Sequence, residues 1–241
     1  MITYAIRLKK REEVAEGTMA FHFERPAGFQ FKAGQYFLLT LIDPAETDAE
    51  GNDRTFSIAS APFESDLIVA TRMRDSAFKR VLKTIPIGTE VNMEGPYGSF
   101  VLHNDASRPA VLLAGGIGIT SVRSMILQAA REKLPQRIYL FYSNRRPEDA
   151  AFLEELQKME NENPHYRLFG TMTDMEKSHQ PWRGETGYIH REMIAKFIED
   201  FSAPIYYVVG PPGMVGSMRS VLLARAGVSN EKIRAEEFAG Y

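Results

Sequence analysis

Leu113-Ala-Gly-Gly-Ile-Gly-Ile-Thr120 decides the fold of the second half of this chain. Ala110 to Ala114 is a continuous apolar run of strand length, and Ile119, Val122, Ile126 and Ala129 then recur at helical spacing. A buried strand therefore feeds a helix through three glycines. Glycines let a ligand approach the backbone, and a helix start offers unpaired N–H groups at the positive end of its dipole. A nucleotide phosphate suits such a turn, although the same composition also makes a plain tight turn. The spacing departs from the Gly-x-Gly-x-x-Gly dinucleotide fingerprint, because Ser121 stands at the third glycine counted from Gly116.

Downstream, the strand-to-helix unit recurs. Ile138 to Tyr142 precedes a helical pattern of Phe152, Leu156 and Met159, and Ile205 to Val209 precedes one of Met218, Val221 and Leu222. Tyr166 to Thr171 and Ile233 to Phe238 add strands, while Met193, Phe197 and Phe201 predict a further helix that Pro204 ends. Such alternation builds a parallel sheet with helices on both faces. Upstream the rhythm is β. Met19 to Phe23, Tyr36 to Leu41, Thr55 to Ala59, Leu67 to Met73 and Val91 to Met93 are short strand-like runs punctuated by Gly, Pro, Asn or Asp. They predict a small antiparallel barrel or sandwich, interrupted by one helix over Ser76 to Lys83. Pro44 to Asp53 reads as an exposed acidic loop, and the polar stretch His103 to Arg108 as the boundary between the two patterns.

At 241 residues, with 44% apolar and 25% charged side chains, the chain has length and core enough for two domains. Its 29 basic and 31 acidic residues nearly cancel, so no overall field favours a nucleic acid or a membrane surface. Without cysteine the chain can hold no disulfide, thiolate zinc site, cysteine nucleophile or iron-sulfur cluster of its own. Any redox chemistry needs a bound cofactor. No apolar run reaches the ~20 residues that span a bilayer, and the opening residues do not form a signal peptide, so a cytoplasmic address is expected. His22, His103, His165, His179 and His190 show no ligand spacing, and no metal is expected.

Arg54-Thr-Phe-Ser-Ile-Ala-Ser60 carries a second signal. Its arginine could hold a phosphate, its aromatic could cover a flat ring and its hydroxyl could bond a ring nitrogen. A half-buried strand with alternating faces would read the same way.

With both segments in view, the chain from Gly34-Gln-Tyr36 onward resembles the ferredoxin-NADP reductase superfamily. The family's flavin motif Arg-x-Tyr-Ser-x-x-Ser occurs here with Phe56 at the tyrosine. Gly95-Pro-Tyr-Gly-Ser-Phe100, Gly115-Gly-Ile-Gly-Ile-Thr120, Trp182-x-Gly-x-x-Gly-Tyr-Ile189, Gly210-Pro-Pro-Gly-Met214 and Glu236-Glu-Phe238 follow in family order. This resemblance implies an antiparallel six-stranded Greek-key β-barrel over 1–104 that binds a flavin. A doubly wound parallel α/β nucleotide-binding domain over 105–241 would follow.

The resemblance also implies roles. Arg54 would pair with the flavin phosphate, Phe56 would pack on the ring, Ser57 would bond near its reactive nitrogen, and Ala70, Thr71 and Arg72 would line it. Where the family has a Gly-x-x-Ser or Gly-x-x-Thr phosphate turn, Ser76, Ala77, Phe78 and Lys79 stand here, which leaves FAD and FMN both open. A lysine can still meet a phosphate as a point charge. Gly116, Gly118 and Thr120, with Gly210, Pro211 and Met214, would hold NADH or NADPH. Arg145 and Arg146 would lie near a ribose 2′-phosphate. Val209 replaces a cysteine common in relatives, which implies slower or retuned hydride transfer. Glu236 and Phe238 would join Ser57 as catalytic groups, with Glu237 the alternative carboxylate. The implied activity is an NAD(P)H-dependent flavoprotein reductase that passes electrons to a separate iron-sulfur protein, flavodoxin, haem protein or small molecule. A non-catalytic flavin-binding sensor or regulatory subunit is the alternative, supported by Val209 and Lys79.

Overall fold

The computed structural model describes residues 2–238. Six antiparallel strands form the first sheet: β1 (Thr3–Ala15), β2 (Thr18–Glu24), β3 (Tyr36–Leu41), β4 (Asp53–Ser57), β5 (Asp66–Arg72) and β6 (Glu90–Tyr97), in the order β4-β3-β6-β1-β2-β5. The sheet curls towards closure where the amide of Ala59, just past β4, donates to the carbonyl of Ile68 on β5. Phe21, Phe23, Phe37, Leu39, Val69 and Met93 fill its interior. Helix α1 (Ala77–Thr84) plugs that core with Phe78, Val81 and Leu82, and the Ser76 hydroxyl caps it by accepting from the amide of Lys79.

The parallel sheet is built from β7 (Ala110–Gly115), β8 (Ile138–Asn144), β9 (Tyr166–Met172), β10 (Glu185–Thr186), β11 (Ile205–Gly210) and β12 (Ile233–Glu237), in the order β10-β9-β8-β7-β11-β12. Leu112, Ala114 and Leu140 point to one face, against α2 (Ile119–Arg131) and α3 (Leu153–Glu162). Val111, Leu113 and Phe141 point to the other, against α4 (Arg191–Ala195) and α5 (Pro212–Ser220). This is the doubly wound arrangement expected of alternating strands and helices.

Three differences from the sequence expectations have physical causes. β1 was not among the strands read from the sequence, because only Ile6 and Leu8 of its thirteen residues are buried and its register shifts against β2 blur the alternation. β4 lies two residues earlier than Thr55 to Ala59, since the chain turns the barrel corner at Ile58, whose amide bonds Gln35, and Ala59, whose amide bonds Ile68. The helix expected through Phe201 stops at Ala195. Phe197 lies beyond it and stacks on Phe169 with ring centroids 3.7 Å apart.

Candidate functional site

The barrel and the parallel sheet meet along a cleft of about 450 Å3, lined from the barrel by Tyr36, Thr55, Phe56, Ser57, Ala70, Thr71, Arg72 and Lys79. The second domain contributes Ile117, Thr120, Glu236, Glu237 and Phe238 to the same wall. Of the residues singled out in the sequence, Phe56, Ser57, Ala70, Thr71, Arg72, Lys79, Thr120, Glu236 and Phe238 thus converge on one space.

The others sit around it. Phe78 is buried behind Phe56, with ring centroids 5.9 Å apart. Arg54 lies over the Phe78 ring, and its guanidinium is taken up by the carboxylates of Asp48 at 3.3 Å and Glu50 at 2.9 Å. Both acids belong to the 44–53 loop, so that loop is tied to the barrel and is more than a solvated excursion. Asp48 also accepts from the amide of Ala77 at the start of α1. Gly116, Gly118, Gly210, Pro211 and Met214 form the two adjoining turns. A Cβ on Gly118 would stand 2.7 Å from the Val209 carbonyl oxygen, so only glycine lets α2 begin this close to β11. Gly210 meets Gly115 backbone to backbone in the same way, and Met214 packs its sulfur over Gly115.

Hydrogen bonds stitch the two halves together at the cleft. Ser121 donates to the Ser57 hydroxyl at 3.0 Å, Arg123 donates to the Ala59 carbonyl at 2.7 Å, and Ser124 donates to the Ser60 carbonyl at 2.7 Å. Arg72 reaches from β5 to the Asp149 carbonyl, and the buried carboxylate of Asp149 receives Arg146 at 3.0 Å. Sequence reasoning assigned no site role to Tyr36, Thr55, Ile117 or Ser121. Tyr36 could have been found, because it pairs with Ser57 across the antiparallel ladder and such partners share a face.

Two ionisable groups at the cleft are perturbed. Burial pushes the Glu236 carboxyl up to about 7. Burial, reinforced by the Arg74 and Arg54 charges, pushes the Lys79 ammonium down. A half-buried lysine crowded by two arginines favours an anion as its next neighbour. Among the described residues there is no cluster of three or more His, Asp or Glu side chains that could hold a metal ion. None of the described helices is long and apolar enough to cross a membrane.

Residues 112–220 match the family model described as an oxidoreductase NAD-binding domain. The chain is 28% identical over 237 residues to the phenol hydroxylase P5 protein of Acinetobacter pittii, covering 97% of this chain and 64% of that protein. It is 27% identical over 208 residues to the glycine betaine monooxygenase reductase subunit of Chromohalobacter salexigens, covering 85% of this chain and 55% of the other. It thus spans only 55% to 64% of the length of these curated relatives. In structure it superposes on the flavohem-like FAD/NAD binding domain of nitric oxide dioxygenase from Vibrio cholerae with a TM-score of 0.83 at 18% identity, covering 97% of this chain and 98% of that one. A ferredoxin NADP+ reductase from Neisseria gonorrhoeae gives a TM-score of 0.77 at 19% identity, covering 98% of each chain.

Proposed function

We propose that the chain, whose fold is that of the solved ferredoxin-NADP reductase-like proteins, is an NAD(P)H-dependent flavoprotein reductase of that superfamily that hands electrons to a separate acceptor. One observation carries the proposal: Phe56 and Ser57 of the barrel face the same cleft as Thr120, Glu236 and Phe238 of the parallel sheet. A donor nucleotide and a flat acceptor ring could meet only in such a shared space.

The cleft fits a flavin by its volume and its donors. Pockets for cofactor-sized ligands run to roughly 300–1,000 Å3, walled by apolar and aromatic groups with a few placed polar ones. Phe56 supplies the aromatic wall, Ser57 and Thr71 the hydroxyls, and Lys79 a cation for a phosphate. Arg54 would join Lys79 once it exchanges its carboxylate partners for phosphate. A bound flavin, FAD by analogy with the solved relatives, supplies two-electron acceptance from a nicotinamide nucleotide and one-electron release.

This chain's own residues would do the rest. The division at 104/105 would assign the flavin to the barrel and NADH or NADPH to the β7–α2 and β11–α5 turns, where Gly116, Gly118, Thr120, Gly210, Pro211 and Met214 stand. Glu236 and Phe238 would close the nicotinamide side, exclude water and hold a proton near the reacting rings. The reductase component of a terephthalate dioxygenase in Comamonas and the glycine betaine monooxygenase reductase, both similar to this chain, support an oxygenase-type acceptor.

The test is direct. Purified protein should be yellow or take up FAD stoichiometrically, and NADH or NADPH should bleach it anaerobically. Arg54→Ala should lose at least about tenfold in flavin affinity. A protein that binds flavin but bleaches with neither nucleotide would be the sensor instead.

A further inference from the structure

We propose that Ser121 is a positioning residue for the cleft: reaching across from α2, its hydroxyl fixes Ser57 so that the Ser57 proton is presented to the bound ring. This deepens the flavin-reductase proposal and rests on it.

The geometry is a pairing of two hydroxyls from different domains. Ser121 is fully buried, on the first turn of α2, and its Oγ lies 3.0 Å from the Oγ of Ser57. Ser57 is half-buried and lines the cleft. Among the described residues, neither side chain has another hydrogen-bonding partner. Each hydroxyl carries one proton and can accept as well. If Ser57 donated to Ser121, the Ser121 proton would be left in the core with no acceptor, which is the costly arrangement. If Ser121 donates, both protons are placed: one in the pair, and that of Ser57 towards the cleft. The burial of Ser121 therefore sets the direction of the exposed member.

Three features make this more than a seam contact. Thr120, the preceding residue, is already committed to the carbonyl of Ile117, so it cannot replace Ser121 as donor. The seam is also held independently by Arg123 on Ala59 and Ser124 on Ser60, so losing the Ser121 hydroxyl leaves the domains joined. Ser121 occupies the place of the third fingerprint glycine, where a side chain has no role in a glycine-only phosphate turn. Here the extra atoms have a use on the opposite domain.

The experiment compares Ser121→Ala, Ser57→Ala, the double variant and Ser124→Ala, each as the full chain loaded with FAD. Three quantities are read: FAD affinity, the visible absorption envelope of the oxidised flavin, and the anaerobic bleaching rate with NADH or NADPH. Ser121→Ala should keep FAD affinity within about twofold and shift the absorption envelope in the same direction as Ser57→Ala. It should bleach about threefold to tenfold more slowly, the range that one ordinary hydrogen bond controls. The double variant should be no slower than Ser57→Ala alone, as expected of a residue acting through another. Ser124→Ala should bleach at the wild-type rate. Wild-type spectrum and rate in Ser121→Ala would overturn the proposal, as would additive losses in the double variant or equal slowing in Ser124→Ala. Wild-type protein that takes up no FAD, or is bleached by neither nucleotide, would overturn the parent proposal and this one with it.

Discussion

Asp48 sets its Oδ2 2.9 Å from the backbone nitrogen of Ala77, the first residue of α1. Its other oxygen pairs with Arg54, so one carboxylate holds both the helix start and the arginine expected on the flavin phosphate. A phosphate seated there must displace it. Asp48→Asn keeps an acceptor for the Ala77 amide and removes the charge. It should tighten FAD and FMN by about twofold to tenfold, the scale of a charge at a helix terminus, and leave riboflavin unchanged. Fluorescence titration with the three flavins checks this; equal tightening for riboflavin would show that phosphate competition is not the cause.

Arg123 ties the halves through Glu64 and the Ala59 carbonyl and is braced within its own domain by Glu155. Its buried guanidinium meets Glu64 at 3.0 Å, Glu155 at 2.6 Å and the Ala59 carbonyl at 2.7 Å. Arg123→Ala strands two partly buried carboxylates and a carbonyl, which typically costs about 3–5 kcal/mol. Thermal unfolding should show a midpoint lower by several degrees, and the urea midpoint should fall with it. An unchanged midpoint would mean that the remaining seam contacts, the Ser121, Ser124 and Arg72 hydrogen bonds and the apolar packing, hold the halves without it.

How much of this was legible depends on what each residue's neighbours are. The parallel sheet could be read because its strands are buried on both faces and appear as unbroken apolar runs, as in Ala110 to Ala114. β1 could not, because a solvent-facing run such as Arg7-Leu-Lys-Lys-Arg11 buries one residue in several and bulges besides. The cleft's aromatic and hydroxyl groups lay in ordered motifs. The capture of Arg54 by Asp48 and the Ser57–Ser121 pair did not, since both are made by side-chain geometry that no motif spacing encodes.

Arg145 and Arg146 separate by their partners. Arg146 is committed to the buried Asp149 at 3.0 Å and to Glu16 at 3.4 Å. Arg145 is largely exposed and reaches Asp149 only at 3.9 Å. If NADPH is used, Arg145→Ala should raise its KM about fivefold or more while leaving that for NADH alone, as expected for a charge-assisted phosphate contact. Arg146→Ala should chiefly lower stability. Steady-state kinetics with both nucleotides, beside a melting curve for each variant, distinguishes the two; the reverse assignment would make Arg146 the phosphate contact.

Glu236 and its neighbour Glu237 part company on β12. Glu236 is half-buried, with Oε1 4.0 Å from where a Cβ on Gly98 would stand, whereas Glu237 is exposed. Burial raises the Glu236 carboxyl from 4.5 to about 7, and among the described residues no charged neighbour offsets the loss of water. The sign follows from linkage: the fold prefers the protonated form, so the contribution to stability is full below about pH 4.5 and is lost as pH rises through about 7. Glu236→Gln should therefore stabilise the protein by about 1–2 kcal/mol at about pH 8, after discounting for solvent screening, and change little at about pH 4. The same titration should appear in the chemistry. The anaerobic bleaching rate should inflect near pH 7 in wild type and in Glu237→Gln, and should be flat across that range in Glu236→Gln. An inflection that survives Glu236→Gln but vanishes in Glu237→Gln would move the proton-holding role to the exposed carboxylate.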